Sequence, residues 1–224
     1  MSEAPAPPPS RGRLFVVSGP SGVGKDTVLA RLHSLMPDVV RCVTATTRAP
    51  RAGEIEGRDY LFVSLQEFRE MVERDEFLEY ARVYENLYGT PRAWVDEQRA
   101  QGRDVLLKID VQGGLTVRTK VRDAVMIFLR PPSVAELERR LRTRLTDTEE
   151  QITTRLLDAR SELQQIPNYD FAVVNDEVDR AADLLRAIIL AERSRIHPHG
   201  WAARDGGGHG SGDGPSVPWS DPNA

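Results

Sequence analysis

The sequence predicts an α/β fold, a doubly wound parallel sheet with helices on both faces, and three observations carry the prediction. Four apolar runs, at Leu14 to Val17, Val105 to Asp110, Ala124 to Leu129 and Phe171 to Val174, lack polar alternation, as strands buried on both faces do. Stretches with helical periodicity separate them. The first run leads directly into Gly19-Pro20-Ser21-Gly22-Val23-Gly24-Lys25-Asp26-Thr27 and then into a helical pattern. Strand, glycine loop and helix in that order place ligands at the carboxyl ends of the strands.

The proline-rich residues 1–11 cannot build a helix or a ladder and read as a disordered lead-in. After the loop, Val28, Leu29, Leu32, Leu35 and Met36 recur at about 3.6 residues, and Pro37 ends the helix. Val39 to Ala45 reads as one short strand, and Thr44 to Glu54, with its proline and glycine, as a loop. Asp59 to Val63 is a further strand. Ser64-Leu65-Gln66-Glu67 is a capping box opening a helix with Leu65, Phe68, Met71 and Val72 inward. Phe77 to Tyr84 is strand-like, and Tyr88-Gly89-Thr90-Pro91 is expected to turn into a short helix carrying Trp94 and Val95. Ser133 opens a helix with Leu137 and Leu141 on one face, and Asp147 to Glu150 caps another with Ile152, Leu156 and Leu163. A last helix spans Val178 to Arg193, and the Gly-, Pro- and Ser-rich residues 197–224 read as disordered.

The loop carries the chemistry. Gly19 and Gly24 stand five apart with Lys25 next, the spacing of a P-loop, in which backbone N–H groups and a helix N-terminus face phosphates and the lysine reaches the terminal ones. A glycine turn that only caps a helix is the alternative. The residue after the lysine is ordinarily Ser or Thr directed at Mg²⁺, and here it is Asp26.

With 224 residues, 40% apolar and 29% charged, the chain suits one soluble α/β domain with small insertions. No apolar run approaches the ~20 residues of a bilayer span and no secretory signal opens it, so a cytoplasmic protein is expected. The single Cys42 excludes an internal disulfide and a cysteine zinc cluster. Three of the four histidines lie in the tail, which leaves little room for histidine-driven catalysis. A net charge of −4 argues against nucleic acid as partner and requires arginines to be gathered locally around any polyanion.

The glycine loop, the Thr44 to Gly53 segment, Tyr88-Gly89-Thr90 and Ile109-Asp110-Val111-Gln112-Gly113 together resemble the guanylate kinase family, in unbroken order from about Arg13 to Arg195. The resemblance implies a P-loop NTPase-type sheet, transfer of the γ-phosphoryl of ATP to GMP (and dGMP) in purine nucleotide metabolism, and Mg²⁺ with ATP as cofactor. It divides the chain into a kinase-like domain over residues 12–196, with a core of 12–43, 93–138 and 167–196, a GMP-binding region at 44–92 and a lid at 139–166. By that likeness Arg48, Arg51, Tyr60 and Tyr88 hold the GMP phosphate, two guanidinium forks and two hydroxyls matching a dianion. Glu79 and Asp110 stand at the carboxylate positions facing guanine, and Thr44 and Thr90 at the hydroxyl positions. Guanine offers a ring N–H and an amine side by side as donors; adenine lacks the ring donor, so AMP would leave a buried carboxylate unpaired. On the donor side the resemblance assigns Gly19 to Thr27 and Asn175 to ATP, and Arg140, Arg144 and Arg155 to charge neutralisation during transfer. Each has a plain alternative as a solvated charge or an ordinary strand aromatic.

The chain departs from the family at Asp26, where Ser is usual, at Lys108, where an acidic residue is usual, and at Leu145, where Gly is usual in the lid. The first two exchange a charge of −1 for 0, which points to a coupled change: Asp26 takes over contact with Mg²⁺ or pairs with Lys108. Two other functions stay open on sequence alone. A phosphosugar kinase acting on a ribose bisphosphate can also carry Asp after the loop lysine, and a kinase-like binding module can keep the arginines and tyrosines without catalysis.

Overall fold

The inner strands of the parallel sheet have both faces covered, which explains their uninterrupted apolar composition. The computed structural model describes residues 11–83, 85–143 and 149–195. In chain order the elements are β1 (Leu14–Ser18), α1 (Lys25–Leu35), β2 (Val40–Arg41), β3 (Ala45–Thr46), β4 (Leu61–Phe62), α2 (Leu65–Glu73), β5 (Phe77–Val83) and β6 (Asn86–Pro91). There follow α3 (Arg92–Ala100), β7 (Val105–Lys108), α4 (Val111–Lys120), β8 (Val125–Arg130), α5 (Val134–Thr143), α6 (Glu149–Leu163), β9 (Phe171–Val174) and α7 (Val178–Arg193). Contacts divide the chain after Arg193; of the second unit, 194–224, only Ser194 and Arg195 are described.

The main sheet has the order β2-β7-β1-β8-β9, every pairing parallel. All five residues of the central β1 are buried. Its alternation sends Phe15 and Val17 into a cluster with Val28, Leu32 and Leu185 from α1 and α7. Leu14 and Val16 point the other way, into a cluster with Val95, Val117 and Met126. The inserted region forms a second sheet, β4-β3-β6-β5, over a small core in which Phe68 stacks on Phe77 at 4.5 Å.

Four local expectations change in the folded chain. Val39 to Ala45 is two strands in different sheets, β2 and β3, with Cys42 to Thr44 crossing between them. Tyr88 to Pro91 is not a turn but the end of β6, because its backbone pairs with β3 and β5. A Cβ on Gly89 would lie 2.7 Å from the Phe77 ring, so the glycine there serves close packing rather than turning. Leu65, expected inward, is 47% exposed in the first turn of α2, although the Ser64–Glu67 capping box forms as expected. Helix α4 had no sequence counterpart: Gly113 and Gly114 blur its pattern, and Asp110 caps it by accepting from the Gly113 N–H at 2.7 Å. Among the described residues no helix is long and apolar enough to cross a membrane.

Substitution is costly at the exit of β1. A Cβ on Gly19 would lie 2.1 Å from the Leu129 carbonyl oxygen, a backbone atom of the neighbouring β8, and the residue has φ 153°. Gly19→Ala is expected to destabilise by about 3 kcal/mol, the upper range for overpacking, lowering Tm by about 6–12 °C for a chain of this size. A thermal melt that moves by less than about 2 °C, under 1 kcal/mol at this size, would refute it.

Candidate active site

The loop between β1 and α1 curls so that its carbonyls and the first turn of α1 enclose a small concavity. Gly22 and Gly24 take φ of 84° and 95°, left-handed values that glycine adopts without strain. Gly24 is the N-cap of α1, so the helix begins at Lys25 with the positive end of its dipole turned to the cleft. Lys25 Nζ donates to the Gly19 and Pro20 carbonyls at 2.5 and 3.2 Å. Burial pushes its ammonium down to about 8, with Glu162 as the largest opposing charge and Lys108 pushing the same way as burial. Ser21 and Asp26 line the same cleft, whereas Thr27 is exposed and Val23 is buried in the core.

The loop is braced from behind. Asn175 Nδ2 donates to the Val23 carbonyl at 2.7 Å, and a Cβ on Gly24 would lie 2.6 Å from that nitrogen. Arg140 on α5 donates to the Val23 carbonyl at 3.2 Å and to the Asn175 carbonyl at 2.9 Å, while Glu136 holds its Nε at 2.8 Å. The structure therefore puts Asn175 and Arg140 against the loop backbone, in the arrangement described here. Arg155 lies on α6, half-buried. Arg144, Leu145 and the capping residues Asp147 and Thr148 lie outside the described residues, as do residues 1–10 and 196–224.

The second sheet and its loops bring Tyr60, Glu79 and Tyr88 to the same cleft, with Arg48 packed beside them. The Arg48 guanidinium sits 5.2 Å from the Tyr60 ring centroid, and the Tyr60 and Tyr88 rings meet edge-on at 6.1 Å. Glu54 holds Arg48 at 2.7 Å and accepts from the Arg51 backbone N–H at 2.7 Å. The Glu54 bond to its side chain, followed by one involving Tyr88, raises the Arg48 guanidinium above its ordinary pKa. Arg51 itself is exposed. Thr90 Oγ1 donates to Glu79 Oε1 at 2.5 Å, and Glu79 is 5% exposed. Burial raises the Glu79 carboxyl to about 7; the Thr90 bond works against that rise and the neighbouring Asp110 charge adds to it.

One open cleft of about 480 Å³ joins the two halves, with Gly19 and Lys25 on one wall and Tyr60, Tyr88, Glu79 and Asp110 on the other. Thr44 also faces it, at the crossing between the sheets. Cys42 also lines it, its thiol pushed up by burial. At the mouth, Lys108 Nζ donates to Asp26 Oδ1 at 2.6 Å. Burial would raise the Asp26 carboxyl, but the Lys108 bond and charge, with Arg41 and Lys25, hold it below the usual range.

Three residues in or beside the cleft were not anticipated. Glu54 organises both Arg48 and Arg51, and only the charge pattern Arg51-x-x-Glu54 hinted at it. Gly113 lets the two carboxylates converge: a Cβ there would lie 2.8 Å from Glu79 Oε2 and 3.4 Å from Asp110 Oδ1. Glu162, near the end of α6, faces Lys25 across the cleft. Burial raises its carboxyl to about 7 despite the nearby ammonium.

Among the described residues no cluster of three His, Cys, Asp or Glu could cage a metal. Mg²⁺ in phosphoryl-transfer sites takes one or two carboxylates together with substrate phosphates and water. Asp26, a carboxylate 78% exposed at the loop's end, suits that partial role.

Comparison with known proteins adds an independent line. The sequence model of the guanylate kinase family matches residues 11–192. The chain is 46% identical over 186 residues to a guanylate kinase of Caldanaerobacter subterraneus subsp. tengcongensis, covering 83% of this chain and 90% of that one. It is 50% identical over 185 residues to a guanylate kinase of Myxococcus xanthus, covering 82% and 88%. The crystal structure of guanylate kinase from Anaplasma phagocytophilum superposes with a TM-score of 0.66 at 35% identity, covering 83% of this chain and 88% of that one.

Proposed function

The chain belongs to the guanylate kinase family, and from that premise we propose how its cleft divides the work of the reaction. The enzyme transfers the γ-phosphoryl of ATP to GMP, giving ADP and GDP. The observation that carries the assignment of residues is the single cleft into which the loop lysine and the tyrosine and carboxylate set both open.

In this reading the GMP phosphate lies against Arg48, Tyr60 and Tyr88, with Arg51 closing over it, and Glu54 keeps Arg48 aimed. Guanine lies toward Glu79, Asp110, Thr44 and Thr90, where the carboxylates accept from its ring N–H and amine. Because base and phosphate are what these residues contact, dGMP is accepted as well. The ATP phosphates rest on residues 19–27, and Lys25 leaves the Gly19 and Pro20 carbonyls to bind them. Arg144 and Arg155 add positive charge around the moving phosphoryl, and Arg140 joins them on leaving the Val23 and Asn175 carbonyls. Asp26 would hold Mg²⁺, which when bound supplies neutralisation of the phosphate oxygens. No strong general base is required, since positioning and charge stabilisation dominate phosphoryl transfer. We place the reaction in the cytoplasm, with the two nucleotides as the partners.

A phosphosugar acceptor would have no use for the Thr90–Glu79–Asp110 cluster, and a binding module would have none for Lys25 at the loop. ADP release measured with ATP plus GMP, dGMP, AMP or ribose bisphosphate tests the reading. GMP and dGMP are expected to turn over, with AMP about 10⁴-fold slower in kcat/KM, as for sites built on polar contacts. Turnover of the sugar, or GMP binding without turnover, would defeat it.

A further inference from the structure

We infer that Lys108 is a resident counter-cation of the donor site, held on Asp26 while the site is empty and released to the phosphates when a nucleotide arrives without metal. This deepens the reading above and rests on its placement of the ATP phosphates at residues 19–27.

The pair joins distant parts of the chain, the end of β7 and the first turn of α1, through a 2.6 Å contact. Its side chains are 28% and 78% exposed for Lys108 and Asp26. Exposed pairs contribute little to stability, at most about 1 kcal/mol, so the contact is inexpensive to open. Both residues line the cleft that contains Lys25, and Lys108 is close enough to help lower the Lys25 pKa. Arg41 stands on the same wall. Lys25, Arg41 and Lys108 all act on the Asp26 carboxylate, so three cations gather at the end of the cleft where the nucleotide phosphates are placed, with Glu162 facing Lys25 from the other side. Lys108 also has room to move. Asp26, Arg41 and Lys108 border a second cavity of about 350 Å³ that runs along α1 past Leu29, His33 and Met36, so the stem can change rotamer without displacing the core.

Calorimetric binding of ADP, in excess EDTA and in excess Mg²⁺, to the wild type and to Lys108→Met and Asp26→Asn tests the inference. Lys108→Met is expected to weaken metal-free ADP about tenfold, the scale of one charge-assisted hydrogen bond, and Mg²⁺–ADP about twofold or less, since the metal then supplies the charge. Asp26→Asn, which frees the lysine, is expected to tighten metal-free ADP by about threefold, a share of the same bond energy. Equal weakening of both ADP forms by Lys108→Met, no change in either, or weaker metal-free binding by Asp26→Asn would overturn the inference. GMP affinity in the same samples reports an intact fold, and Lys108→Gln replaces the methionine variant should that one not fold. Absence of any ADP binding by the wild type would instead overturn the placement of the phosphates.

Discussion

Lys25→Met is expected to lower kcat by about 10²- to 10³-fold, the effect of removing one preorganised donor from a developing charge, while GMP affinity stays within about threefold because the acceptor wall is untouched. Methionine keeps the stem that fills the concavity and removes only the ammonium that bonds the Gly19 and Pro20 carbonyls. The same variant should melt no lower than wild type at pH 7. Burial lowers the Lys25 pKa from 10.5 to about 8, so folding disfavours its charged form. Between about 8 and 10.5 the unfolded chain binds more protons than the native one, and the stability of the wild type should rise with pH across that window. Below it the whole penalty is present, a cost in stability borne by a functional group. Single-turnover kinetics beside thermal melts measure both halves; a kcat within tenfold of wild type would remove Lys25 from the catalytic role.

Glu79→Gln is expected to lower kcat/KM for GMP by about 10²-fold while leaving AMP nearly unchanged, narrowing the discrimination between them. Glutamine keeps the volume and can still accept from Thr90, but it turns an N–H₂ toward the donor edge of guanine. The acid limb gives a second reading of the same residue. With the carboxyl raised to about 7, Glu79 loses its charge as pH falls through that value, and GMP affinity should fall with it. The second phosphate ionisation of GMP, near 6, remains in the glutamine variant, whereas the step near 7 should vanish. Stability moves the opposite way: between 4.5 and about 7 the native protein binds more protons at Glu79 and Glu162 than the unfolded chain does, so stability declines as pH rises through that range. A pH profile for GMP unchanged by Glu79→Gln would mean that guanine does not meet this carboxylate.

Elements that declare themselves locally were legible from composition. The unbroken apolar runs at β1, β7 and β8 became the inner strands of the parallel sheet because each is covered on two faces, and Ser64 with Glu67 capped α2 within one turn. Elements that depend on a distant partner were not. Residues 88–91 look like a turn in isolation and become a strand only because β3 and β5 lie on either side. Helix α4 is concealed by Gly113 and Gly114, whose missing side chains make room for Glu79 in one case and for Tyr169 and Ser18 in the other.

By itself, then, the order of residues determined the glycine loop and the parallel core, since each depends on spacing within a short stretch or on burial pattern along one element. Tertiary structure alone decided that Lys108 meets Asp26, that Glu162 faces Lys25, that Arg140 and Asn175 brace the Val23 carbonyl, and that Glu79 and Asp110 converge over a glycine. Those contacts join residues that chain distance keeps far apart. Their charges shift one another through a partly dry cleft, and the distances that set such shifts come into being only when elements remote in the chain pack together.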